Sequence, residues 1–291
     1  MRFGEQAQFY NFQFMNWSIR DNFISLENPL VMGILNVTPD SFYDGGKNIN
    51  PGIALESAVQ MAKDGAGIID VGGESSRPGS KPVEISEELH RVIPVISKIS
   101  SSIKLPIAID TYKAEVAKEA IRAGASIVND ISAMADPEMF SVIKESRVGV
   151  ILMHKHGEPS TMQNAPLDKG DVLENVIDFL KKRTAEAINF GIKEEQIVID
   201  PGIGFGKTFS ANEFLINNLD KLNVLGFPML IGASRKKFIG DLTGKKTDDR
   251  LAGSLAAHII SYLRGAKIFR THDVKETTDA LKVVQGILLN D

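Results

Sequence analysis

A short apolar run followed by an amphipathic stretch recurs eight times from Leu30 to the C-terminus, and nothing else in the chain limits its fold so tightly. The runs occupy residues 31–35, 67–71, 106–109, 126–128, 148–153, 196–199, 228–231 and 267–269. The intervening stretches with helical periodicity are 53–63, 86–100, 112–123, 136–145, 172–190, 212–222, 250–263 and 274–289. Several runs are β-branched and apolar on both faces, as strands covered by helices are. Eight alternations in roughly 260 residues predict a closed α/β (β/α)8 TIM barrel rather than an open doubly wound sheet.

The residues at the ends of those runs are the second constraint. In order they are Asn36; Asp70 with Gly72, Gly73 and Glu74; Asp110; Asn129 with Asp130; His154; Asp200; Ser234 to Lys236; and Arg270 with His272. In a barrel all of these gather at the C-terminal mouth, where such folds carry out chemistry. Helix capping after short loops accounts for an Asp such as Asp136, but it does not call for Lys236, Arg270 and His272 at the same end. The stretches 72–84 and 154–171 are too long and turn-rich for plain connectors and are expected to lie over the mouth. One barrel domain, 29–291, follows an N-terminal extension, 1–28. Phe3, Phe9, Tyr10, Phe12, Phe14, Trp17 and Phe23 should pack that extension as a strand or hairpin under the barrel.

Composition removes several function classes. A formal net charge of −4 provides no basic footprint for nucleic acid. There is no Cys, which excludes disulfides and thiolate chemistry and suits a reducing, cytoplasmic setting. No apolar run is long enough for a membrane span, and the first residues lack the apolar core of a signal peptide. The stretch DPGIGFGKT, 200–208, imitates a nucleotide-binding loop but fails its spacing: five positions before Gly206 stands Pro201, which has no N–H to offer phosphate. No G-x-G-x-x-G follows a strand either.

What the mouth residues can recognise is more specific. Asp110, Asn129 and Asp200 supply carboxylate, amide and carboxylate on the third, fourth and sixth strands. A carboxylate matches the paired N–H and NH2 of an amidine-like edge, and an Asn both donates and accepts along the next edge. That set favours a fused 2-amino-4-oxo heterocycle such as a pterin or guanine, against the alternative that each Asp is satisfied by neighbouring backbone. Lys236, Arg270 and His272 follow the seventh and eighth strands, the usual phosphate site of this fold. His154 and His156 could form half of a metal site, but the remaining His90, His258 and His272 do not complete one, so His154 is expected to be a hydrogen-bonded residue of the rim.

With these residues in place, the chain resembles the dihydropteroate synthases of the pterin-binding family. The resemblance is carried by MGILNVTPDSF (32–42), GGESSRPG (72–79), IDTY (109–112), VNDI (128–131), ILMH (151–154), DPGIGFGK (200–207), GASRKKFIG (232–240) and RTHDV (270–274). It implies condensation of 6-hydroxymethyl-7,8-dihydropterin diphosphate with 4-aminobenzoate. By the same resemblance Asp110, Asn129, Asp200 and Lys236 hold the pterin, Met153 contacts substrate, and Arg270 and His272 hold the diphosphate. Asn36 touches diphosphate and Mg2+, while Phe205 and Ser76 lie toward the aminobenzoate and Arg77 contacts substrate. Asp110, Lys236 and Arg270 are the expected catalytic groups, and loops 36–48 and 72–84 would close over them.

The family also implies a homodimer; the helix LAGSLAAHIISYL has a small-residue face that either meets a partner or packs on the barrel. Ser76 stands where many members have Thr, and Lys237 where many have Ser. Two alternatives are a methyltetrahydrofolate-dependent methyltransferase, which needs no diphosphate site, and a non-catalytic pterin-binding paralogue, which should have lost anion-site residues.

Overall fold

The computed structural model describes residues 16–38, 43–44, 48–76, 79–158, 161–162 and 164–289. A hairpin, β1 (Asn16–Ile19) and β2 (Asn22–Ser25), precedes the barrel. Eight parallel strands follow: β3 (Leu30–Asn36), β6 (Ile68–Gly72), β7 (Ile107–Asp110), β8 (Ile127–Asp130), β9 (Gly149–Met153), β10 (Ile197–Asp200), β11 (Leu230–Ile231) and β12 (Ile268–Thr271). Each pairs with its successor, β12 returns to β3, and a parallel bridge between Ile199 and Met229 closes the ring. A small ribbon, β4 (Tyr43–Asp44) with β5 (Asn48–Ile49), lies between β3 and the first helix.

The helices cover the outside: α1 (Pro51–Lys63), α2 (Ile85–Ser100), α3 (Ala114–Ala123), α4 (Glu138–Ser146), α5 (Val172–Phe190), α6 (Phe209–Asn217), α7 (Lys237–Thr243), α8 (Leu251–Leu263) and α9 (Val274–Leu288). The N-cap of α4 is Pro137 rather than the expected Asp136, which stands one residue earlier; its carboxylate accepts from Glu138 N at 3.0 Å with one oxygen and from Ala114 N at the start of α3 with the other. The stretch 212–222 departs from the expected single helix. Thr208 caps Ala211 N and starts α6 earlier, Asn218 leaves helical geometry at φ −122, and a 3-10 turn follows over Leu219–Leu225.

Strand periodicity then sorts the side chains into layers. Met32, Ile68, Ala108, Ile127, Ile151, Val198, Leu230 and Ile268 point into the barrel and form its lowest layer. Their neighbours Val31, Ile69, Ile107, Val128, Val150, Ile199, Ile231 and Phe269 point outward into the core beneath the helices. The hairpin seals the base: Trp17, Ile19 and Leu26 join the inner layer, Trp17 Nε1 donates to Gln196 O at 2.8 Å, and Arg20 N donates to Arg147 O at 2.6 Å. The hairpin expected beneath the barrel is therefore present, but Phe23, expected to pack, is 68% exposed because its position on β2 faces away from the barrel; Phe3, Phe9, Tyr10, Phe12 and Phe14 lie outside the described residues.

Candidate active site

Two residues beyond the apolar layer, five of the eight inward-facing positions become polar, while Ile34 and Met153 stay apolar. Stepping from Ile68, Ala108, Ile127, Ile151, Val198 and Ile268 gives Asp70, Asp110, Asn129, Met153, Asp200 and Arg270. On β11 the corresponding position is Gly232, whose missing side chain leaves room beside Arg270. The strand register also sets Asn36 beside Gly72, Gly72 beside Asp110, and Asp110 beside Asn129. The period of two thus converts a strand ending into a chemical ring around the mouth.

Within that ring Arg270 bridges two carboxylates, donating from Nε to Asp70 Oδ2 and from Nη2 to Asp110 Oδ2, both at 2.6 Å. Asn129 Nδ2 donates to the same Asp70 oxygen at 3.3 Å. Asp70 stands at the mouth by its sequence position, and in the fold it is the buried counter-ion that orients Arg270. Burial lowers the Arg270 pKa, but Asp70 and Asp110 outweigh it, so the net shift is upward and the guanidinium stays charged. Burial raises Asp110 to about 7, with Arg270 opposing the rise and Asp70 adding to it.

Asp200 sits two strands from Arg270 on the same rim. Its Oδ1 accepts from Gly202 N at 2.7 Å, and burial raises its pKa to about 6 against the pull of that bond and of Lys236, Lys207 and Arg270. The chain then turns a tight corner through Gly202, Gly204 and Gly206, at φ +67, +84 and +64. A Cβ at Gly202 would stand 1.9 Å from His154 O, and one at Gly206 1.9 Å from His156 O, so only glycine fits. Those glycines shape a strand-to-helix corner that presents Phe205, whose ring lies 4.1 Å below Lys236 Nζ. Phe205, Met153, Ile131 and Met162 form one apolar cluster, with Tyr112 packed against it.

Lys207 and His154 form a pair that residue order alone did not reveal. Lys207 Nζ donates to Gly202 O at 2.8 Å and Phe205 O at 3.1 Å and meets His154 Nδ1 at 2.9 Å. The other His154 nitrogen, Nε2, lies 3.0 Å from Asn175 Oδ1. Burial, then the Lys207 charge, hold His154 down to about 3, so its ring is neutral, with Nδ1 accepting and Nε2 donating. His154 is hydrogen-bonded as expected, but buried rather than on the rim.

On the anion side, His272 Nδ1 lies 3.0 Å from Ser234 Oγ, and Ser234 Oγ also accepts from His272 N at 3.2 Å. Arg235, unassigned from sequence, has φ +55 and grips Asp273 with Nε at 3.0 Å and Nη2 at 2.5 Å, fixing the β11 loop to the β12 loop. Lys237 is exposed and paired with Asp241. In the second loop Glu74 accepts from Tyr112 OH at 3.0 Å, Lys113 Nζ at 2.6 Å and Val83 N at 3.0 Å, joining both ends of the segment that carries Ser76. Arg77 lies outside the described residues, as does part of the loop 36–48.

The donor set suits Mg2+ only in a particular way. Among the described residues no three His, Cys, Asp or Glu side chains gather as a metal cage. Asn36 Oδ1 and Asp110 Oδ2 lie 3.7 and 3.6 Å from the Cβ position of Gly72, so one amide oxygen stands near the Asp110 carboxylate at the mouth. A single protein oxygen completed by substrate phosphate oxygens and water is how Mg2+ is commonly held.

Comparison with known proteins agrees with this geometry. The family model described as pterin binding enzyme matches residues 32–272. The dihydropteroate synthase of Escherichia coli K12 is 44% identical over 265 residues, spanning 91% of this chain and 94% of that one. The structure of Xanthomonas albilineans dihydropteroate synthase with 4-aminobenzoic acid superposes with a TM-score of 0.87 at 42% identity, covering 94% of this chain and 98% of the other. The same enzyme in complex with 7,8-dihydropteroate gives a TM-score of 0.84 at 40% identity, with coverage of 94% and 98%. With a matching family model, this identity over nine-tenths of its length and a shared barrel, the chain belongs to the pterin-binding enzyme family, among the dihydropteroate synthases.

Proposed function

We propose that the mouth condenses 6-hydroxymethyl-7,8-dihydropterin diphosphate with 4-aminobenzoate, yielding 7,8-dihydropteroate and diphosphate as a step of folate biosynthesis. The observation that carries this reading is the single polar layer, in which the acidic and amide groups Asp110, Asn129 and Asp200 share a rim with Arg270. Such a rim grips both halves of one molecule.

Asp200 accepts the paired N–H groups of the pterin edge, and Asn129 takes the next edge. Lys236 holds the pterin with them, while Phe205 and Ser76 face the adjoining space for the aminobenzoate. Arg270 and His272 stabilise the departing diphosphate. The exocyclic C–O bond breaks and its electron pair leaves with that group. Positive charge spreads into the electron-rich dihydropterin, favoured by the Asp110 carboxylate. The neutral aniline nitrogen donates its lone pair to form the C–N bond, and its surplus proton passes to solvent, so no strong general base is needed. Closure of the first two loops would exclude competing water.

Mg2+ held by Asn36 and substrate oxygens would neutralise charge on the phosphates. We also propose a homodimer. Ala252, Ala256, Ile260 and Leu263 lie exposed along α8, and Val283 and Ile287 are exposed on the neighbouring α9. A chain without Cys supports a cytoplasmic setting; no helix among the described residues is long and apolar enough to cross a membrane. The methyltransferase alternative needs no diphosphate site, which Arg270 and His272 provide in this reading.

The test is to mix pterin diphosphate, 4-aminobenzoate and Mg2+ with the protein and follow diphosphate. Release should depend on the amine and stop on chelation while circular dichroism stays unchanged. Amine-independent release, or none, defeats the condensation; release that survives chelation defeats the Mg2+ assignment alone.

A further inference from the structure

We propose that Lys207 is a positioning residue for both half-sites: by gathering the carbonyls of Gly202 and Phe205 beneath the corner, it holds Asp200 and the Phe205 ring toward the mouth. The inference rests on the condensation reading above. An ammonium has three protons, and here each has an acceptor: Gly202 O, Phe205 O and His154 Nδ1. Lys207 is only 3% exposed and, among the described residues, has no carboxylate within hydrogen-bond reach; burial lowers its pKa to about 7, so the ammonium prevails where Asp200 titrates and the fold bears a desolvation cost that an uncharged side chain of similar volume would avoid.

What the charge accomplishes lies at the two residues whose carbonyls it draws in. Gly202 is also the residue whose N–H fixes Asp200 Oδ1, so anchoring its carbonyl sets the direction of that carboxylate. Phe205 carries the ring under Lys236, and with its carbonyl drawn inward the ring is committed to the opposite side. His154 completes the cradle because Asn175 takes its far nitrogen and Phe179 packs edge-on at 5.0 Å, which leaves Nδ1 as a fixed acceptor. The cations acting on Asp200 come from three elements: Lys207 in its own loop, Lys236 after β11 and Arg270 on β12. Lys207 in turn is acted on by Asp200 and Lys236, and it abuts His154 of β9.

The experiment measures binding of the pterin diphosphate by calorimetry without amine, and the KM for 4-aminobenzoate, from about pH 5 to about pH 8 for wild type, Lys207→Met and His154→Leu. Lys207→Met should weaken pterin binding and raise the aminobenzoate KM by at least about tenfold each. The pH midpoint of pterin binding should move up by about half a unit or more, because Asp200 loses one of its three cations; a purely structural strap would leave that midpoint in place. His154→Leu should move all three in the same direction by less. A folded Lys207→Met enzyme with all three values unchanged overturns the proposal. Should Lys207→Met not fold, His154→Leu decides by the same readouts, and if neither folds the cluster serves the barrel and the assignment falls. Wild-type condensation is measured alongside, so an inactive wild type defeats the earlier reading, whereas an active wild type with unaffected variants defeats only this one.

Discussion

Arg270 shows how one side chain can serve the chemistry and the fold together. Its guanidinium joins Asp70, fully buried on β6, to Asp110 on β7, so Arg270→Ala removes an anion donor and also strands two carboxylates. Turnover should fall by at least about a hundredfold, on the scale of losing one oxyanion donor. Thermal or denaturant unfolding should show a loss of about 3 kcal/mol or more, as for breaking a buried pair; unchanged stability would mean the triad is not formed in solution. Asp200 makes a prediction of opposite signs. Its folded pKa, about 6, lies above the ordinary 3.8, so between those values the folded state holds the extra proton and stability falls as pH rises through that window. Pterin affinity should instead rise over the same window, since the ligand's N–H groups need the carboxylate. Unfolding and calorimetry on wild type and Asp200→Asn check both: the Asn variant should lose the affinity slope and have a shallower stability slope, the remainder coming from the raised carboxyls of Asp110 and Asp130. Asp110, Asn129, Asp200, Arg270 and His272 could be named from strand-end position alone. Asp70's partnership and Lys207's burial could not, because neither is visible until distant strands are closed into a ring.

At the scale of elements, the corner after β10 decides what the strand-end carboxylate can do. Gly202 and Gly244 have nearly equal positive φ, +67 and +68, but a Cβ at Gly202 meets a carbonyl whereas one at Gly244 meets nothing within 4 Å. Gly244→Ala should cost about 1 kcal/mol, the conformational penalty alone. Gly202→Ala should cost more than about 2 kcal/mol and lose pterin affinity, because His154 O and the cradle behind it must move. Equal effects in unfolding experiments would refute the role of that close approach. Helix boundaries from periodicity agree well where an apolar face is continuous, as in α5 and α8, and drift where capping intervenes, as at Thr208 and Asn218. The short α7 and the β4–β5 ribbon carry too few residues for a period to register.

For the whole molecule, the exposed stripe on α8 and α9 should bring two copies together, with the two barrels keeping separate mouths. Ile260→Asp with Ile287→Asp should yield a monomer by sedimentation with an unchanged circular dichroism spectrum; a wild type that sediments as a monomer removes the dimer. Alternation of strand and helix, the number of repeats and the polar residue closing each strand are properties of a one-dimensional pattern, and the sequence by itself determined the barrel, its mouth and the recognition groups there. Which groups touch was decided only by tertiary structure. The inclined strands of a closed barrel bring Arg270 against Asp70 and Lys207 against His154, and burial then shifts the charges of Asp110, Asp200 and Lys207 in ways that no residue carries alone.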